Sequence, residues 1–102
     1  MIIQVTQQHI RDATGGASNC PVARAIAEQF PNSTVFVDPD LIEFVDFDRL
    51  TNSRPNIRPT LMLKVNSNLG NKICDYDDYG IMEPFTLELD LNAEVAREAQ
   101  TS

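Results

Sequence analysis

Apolar residues recur along this chain in two periods, which divide it into a helical first third and a largely extended remainder. Val22, Ile26 and Phe30 stand four apart, and alanines at 23, 25 and 27 widen the row into one apolar face. The segment Cys20–Phe30 is therefore expected to be a helix. Pro21 suits its first position, where a missing N–H costs no hydrogen bond, and Pro31 with Asn32 ends it. A shorter helix is expected over Gln7–Ala13, with the Thr6 hydroxyl capping its first turn. The intervening Thr14–Asn19 carries Gly15 and Gly16 and reads as a loop.

Period two governs the rest. Ile2–Val5 and Ser33–Val37 read as strands, Asp38-Pro39-Asp40 as a turn, and Leu41–Phe47 as a further strand. In Thr60–Val65, Leu61, Leu63 and Val65 alternate with Met62 and Lys64. Phe85, Leu87, Leu89 and Leu91 alternate with Thr86, Glu88 and Asp90. Asp48–Pro59 and Asn66–Asn71 read as loops, and Lys72–Tyr76 as a short strand turning at Asp77-Asp78-Tyr79-Gly80. The expected fold is α+β, with two short N-terminal helices on one face of a mostly antiparallel sheet of four to five strands. Residues 1–92 form one domain in this reading, and 93–102 a helical turn or flexible tail.

Composition narrows the class. With 102 residues, 42% of them apolar, the chain can bury one core, and its mean hydropathy of −0.23 fits a globular protein. No apolar run approaches the roughly 20 residues that span a bilayer. The opening MIIQVTQQHIRD has neither the basic start nor the long apolar stretch of a secretory signal, so the expected location is the cytoplasm. Cys20 and Cys74 are then read as reduced thiols.

The net charge of −7 disfavours nucleic acid and anionic membranes as direct partners and leaves a basic protein surface open. The charge is also segregated. Residues 38–48 hold Asp38, Asp40, Glu43, Asp46 and Asp48 with no base. Residues 49–74 hold Arg49, Arg54, Arg58, Lys64 and Lys72 with no acid. Residues 75–102 are acidic again, beginning with Asp75, Asp77 and Asp78. Three readings follow: solvated strand faces pairing across the sheet, an acidic surface that docks on a basic nucleic-acid-binding site, or a basic pocket around an anion.

Specific chemistry is poorly supported. Asp75, Asp77 and Gly80 match three positions of a calcium loop, but Tyr79 and Thr86 stand where it needs an oxygen ligand and a bidentate glutamate. Cys20 at a helix start could be an activated thiol, with His9 the one histidine to serve it; a packed or capping cysteine is the plainer reading. No close-spaced ligand pair marks a metal site, and no motif calls for a cofactor.

Val5-Thr6-Gln7-Gln8-His9-Ile10, followed by Cys20-Pro21-Val22-Ala23-Arg24-Ala25-Ile26, resembles the N-terminal half of small uncharacterised proteins of bacteriophages and other mobile elements. The glycine turn at Asp77–Gly80 and the strand Pro84-Phe85-Thr86-Leu87-Glu88-Leu89 resemble their C-terminal part. The resemblance implies a phage or mobile-element accessory protein and no catalytic residues. The leading expectation is a non-enzymatic inhibitor of a host defence or nucleic-acid-handling protein, docking through Asp38, Asp40, Glu43, Asp46, Asp48, Asp75, Asp77 and Asp78. The alternatives are an oligomeric sponge holding an anionic nucleotide between Gly15, Gly16, Arg24, Arg54 and Arg58, a Cys20-dependent enzyme, and a virion component.

Overall fold

The computed structural model describes residues 1–45 and 60–99. Along these residues the elements run β1 (Ile2–Val5), α1 (Gln7–Asp12), α2 (Pro21–Gln29), β2 (Thr34–Val37), β3 (Leu41–Val45), β4 (Thr60–Val65), α3 (Ser67–Tyr79), β5 (Phe85–Asp90) and β6 (Val95–Glu98). The architecture is α+β. One sheet takes all six strands in the order β1-β5-β6-β4-β3-β2, antiparallel throughout except where β6 lies parallel to β4.

The alternation read from the sequence sets the buried face. Ile3 and Val5, Val35 and Val37, Ile42 and Phe44, Leu61 and Leu63, and Leu87 and Leu89 all point into one core. Their neighbours Ile2, Gln4, Met62 and Lys64 are exposed, so the helices cover one side of the sheet only. Helix α2 packs against both edge strands, β1 and β2. Those edges of a flat six-stranded sheet would stand about 24 Å apart, more than twice the diameter of a helix. The sheet must therefore curl around α2, which sets Val22, Ala23, Ala25 and Ile26 in the centre of the core.

Both N-terminal helices form where expected. Thr6 caps α1 through a capping box in which His9 takes the third helical position: the Thr6 hydroxyl accepts from the His9 N–H, and the Thr6 N–H donates to His9 Nδ1. Cys20 caps α2 with its sulfur, which accepts from the Ala23 N–H, and Pro21 follows in the first turn.

Three expectations need correction. The segment read as loop 66–71, strand 72–76 and turn 77–80 is one helix, α3. Asn66 caps it by accepting from the Leu69 N–H; Leu69, Ile73 and Tyr76 form its inward row; Gly80 ends it at φ 68°, a left-handed conformation that glycine adopts freely. Gly80 suits a turn between strands equally well, because such a turn and a helix end use the same backbone conformation.

Second, Val95–Glu98 is a strand, where the sequence suggests a helical turn or tail. It lies between β5 and β4, led in by a turn whose Asn92 and Ala93 amides donate to the Asp90 carboxylate. Third, the sheet is mixed and six-stranded, because β6 enters parallel to β4. The expected strand over Leu41–Phe47 is present as Leu41–Val45, and its last two residues lie outside the described segments.

Candidate functional site

Helix α3 and the β2–β3 turn meet at a contact that only glycine permits. A Cβ on Gly70 would lie 2.6 Å from the Pro39 carbonyl oxygen, so the turn rests directly on the helix backbone. Asp38 and Asp40 flank Pro39, and Asp75, Asp77 and Asp78 occupy the C-terminal turns of α3. This packing lays Asp38 and Asp40 against the first turns of the helix whose later turns carry Asp75, Asp77 and Asp78, more than thirty positions on in the chain.

The acids of the turn and of the helix act on one another electrostatically. The Asp77 carboxyl is pushed above the ordinary value by partial desolvation first, then by the charges of Asp78 and Asp38. Cys74 is raised by partial burial and by Asp78, Asp77, Asp40 and Asp75. All five carboxylates are exposed, and among the described residues none is ion-paired. Three of them also sit at the negative pole of a helix, where carboxylates destabilise and cations are favoured. The cluster is thus held together against its own electrostatics by the turn-on-helix contact and the apolar row beneath.

Asp77 gives this a measurable form. Folded Asp77 holds its proton more tightly than the unfolded chain does, so its ionised form weakens the fold at neutral pH. That penalty disappears as pH falls through the raised folded value towards the ordinary 3.8. Asp77→Asn is expected to stabilise the protein at pH 7 by a few tenths to about 1 kcal/mol, with solvent screening favouring the lower end. The gain should fade at the acid end of that window. Urea unfolding of both proteins at several pH values measures it, and a gain independent of pH would mean the charge is not its cause.

Apolar surface accompanies the acids. At the end of α3, Tyr79 is 73% exposed and Ile81 64%. A hollow of about 190 Å³ opens beside them, lined by Lys72, Asp75, Ile81, Met82 and Glu83. Lys72, in the lining of the hollow, also lies 3.7 Å from Glu98 and over the Phe85 ring.

The remaining candidates scatter. Glu43 lies in mid-strand on the outer sheet face, with Phe36 and Met62 as its cross-strand neighbours, away from the cluster. Asp46, Asp48, Arg54 and Arg58 lie outside the described residues. Gly15 and Gly16 adopt φ of 90° and 88° in the loop before α2, whose Ala17 carbonyl accepts from the Val37 N–H of edge strand β2. Arg24 lines a separate hollow between α1 and α2.

Cys20 is a core residue. Its thiol is 3% exposed and raised above the usual thiol value, chiefly by burial, although the Ala23 and Val22 amides pull the other way and Asp77 adds to the rise. A helix-start thiol of this kind stays protonated, the reverse of an activated nucleophile. His9 is occupied as well, by Thr6 at Nδ1 and by Glu28 at Nε2. Among the described residues, no group of three or more His, Cys, Asp or Glu side chains could hold a metal ion. No described helix is long and apolar enough to cross a membrane.

The sequence showed the acid blocks but not Tyr79 and Ile81, whose exposure depends on a helix ending at Gly80. Compared with known proteins, the chain matches no family profile, no curated protein and no solved structure.

Proposed function

We propose that this protein is a non-enzymatic docking protein whose contact surface is the acidic patch formed by Asp38, Asp40, Asp75, Asp77 and Asp78. The observation that carries the reading is the set of five exposed carboxylates, none ion-paired among the described residues, that the packing of the β2–β3 turn on α3 draws together. A fold that keeps such a cluster gives up stability there. A basic partner surface would recover it and would be steered in by the field.

Tyr79 and Ile81 supply the apolar contact that acids alone lack, since interface energy concentrates in a few large side chains. The 190 Å³ hollow would seat one long basic side chain, its stem against Ile81 and Met82 and its head near Asp75 and Glu83. The partner class that fits is a protein with a basic, nucleic-acid-handling site, which the carboxylates would occupy in place of phosphates. The resemblance to phage and mobile-element proteins makes a host defence or nucleic-acid-handling protein the target, and the host cytoplasm the place.

The test is capture from a bacterial lysate with the tagged protein, read by mass spectrometry. It is run beside a variant carrying Asp38→Asn, Asp40→Asn, Asp77→Asn and Asp78→Asn. The expected result is a stoichiometric partner, released by high salt and captured at least tenfold less by the variant. Equal capture by both proteins would refute the acidic surface as the contact.

A further inference from the structure

We infer that the hollow between α1 and α2 binds a small ligand through a single oxyanion group, a phosphate or a carboxylate, held by Arg24. This site is independent of the acidic docking surface, and neither reading depends on the other.

The starting point is an arginine with no hydrogen-bond or ion-pair partner among the described residues. Arg24 projects from α2 between the buried Ala23 and Ala25, at the margin of the core-facing row, and its Nε is fully buried with no hydrogen-bond acceptor. A buried donor left unbonded costs free energy, and an ionised one costs more, so native proteins rarely keep one without a use.

Local chemistry offers Arg24 two acids, and the fold assigns both elsewhere. Glu28 lies one helical turn on, the standard ion-pair position. It accepts instead from His9 Nε2. The Thr6 N–H donates to Nδ1, which makes Nε2 the protonated nitrogen and so turns the imidazole towards Glu28. Asp12, the other carboxylate of the hollow, takes the Gln8 amide on both of its oxygens at 3.0 Å. His9 and Gln8 thus occupy the acids, and among the described residues the guanidinium has no acceptor.

The space around it has the dimensions and donors of a ligand site. The hollow measures about 390 Å³, within the range of small-molecule pockets. Ser18 and Asn19 line it beside Arg24, adding a hydroxyl and an amide to the guanidinium fork. Together they present donors to one oxyanion. The carboxylates of Asp12 and Glu28 on the same wall repel additional negative charge, so the site suits one phosphate or carboxylate group better than a polyphosphate.

Because Nε is buried, the Arg24 Nε–H can be followed by proton–nitrogen NMR on the ¹⁵N-labelled protein, its signal assigned by its loss in Arg24→Met. Sodium phosphate and sodium acetate are titrated separately at constant ionic strength, with sodium chloride as reference. The expected result is a saturable downfield shift of this signal with phosphate or with acetate, and whichever acts identifies the group. At a tenfold excess over the dissociation constant, the same salt should raise the unfolding midpoint by roughly 5–10 °C. Arg24→Met should lose that rise while unfolding in chloride no lower than the parent, since the side chain it removes makes no bond. A signal indifferent to both salts would overturn the inference. So would an Arg24→Met protein that unfolds well below the parent in chloride, because Arg24 would then be serving the fold.

Discussion

Phe44→Ala is expected to destabilise the protein by about 3–5 kcal/mol, the usual cost of emptying an aromatic site in a core. Phe44 is completely buried in β3, with Val35 and Leu61 as its cross-strand neighbours. Its ring meets that of Phe30 edge to face, at 5.1 Å between centroids and 80° between planes. That pair adds a specific attraction beyond area burial. It also joins the C-cap of α2 to β3, the strand next to the β2 edge, so closing the space would require the central helix to move. Chemical denaturation should show the midpoint falling with the slope unchanged. A loss below about 1.5 kcal/mol would mean that the core closes over the gap more freely than this packing implies.

Gly70→Ala is expected to cost about 1–3 kcal/mol, as overpacking does, although alanine is the better helix former by about 1 kcal/mol. The added methyl would meet the Pro39 carbonyl oxygen at 2.6 Å, and both sides of that contact are backbone. Turn and helix must separate, which carries Asp38 and Asp40 away from the α3 carboxylates. The midpoint should fall by roughly 10 °C, and Asp77 should lose the part of its raised affinity for protons that Asp38 supplies. If alanine stabilised the protein instead, the turn would not be resting on the helix, and the acidic cluster would come apart as a single surface.

These two residues mark what the sequence could and could not disclose. Phe44 sits in a strand with strict alternation, and such strands were legible, as was α2 from Pro21 and the Val22, Ile26, Phe30 row. Local pattern decides those elements. Helix α3 was hidden because its inward residues Leu69, Ile73 and Tyr76 are diluted by asparagines, aspartates and Gly70. A glycine in mid-helix normally argues against one, and the reason for it here, the approach of Pro39, is a tertiary contact. Val95–Glu98 was hidden because four residues with only two apolar side chains carry almost no period.

The candidate site shows the same division. The acid blocks at 38–48 and 75–78 stand out by composition, but the approach of Asp38 and Asp40 to the second block required α3 to be a helix with Gly70 under the β2–β3 turn. Arg24 was visible as a possible anion ligand beside Gly15 and Gly16. That Glu28 would pair with His9 and leave the arginine unpartnered depends on how α1 packs on α2, which spacing alone does not encode.

Strand β1 pairs only with β5, and the Met1 amino group reaches the Leu89 carbonyl, 88 positions away in the chain. Closing so long a loop costs roughly 4 kcal/mol of chain entropy before any contact offsets it. During synthesis β1 must also wait for the roughly 80 residues up to β5 to be made, on the order of ten seconds at typical elongation rates. Through that interval Ile3 and Val5 have no sheet to enter, while the β2–β3 hairpin and its neighbour β4 can already assemble. The two parts of the curl, β1–β5 and β4–β3–β2, are joined among the described residues only by β6, the last strand in chain order, so the sheet around α2 closes at its middle and not at its edge.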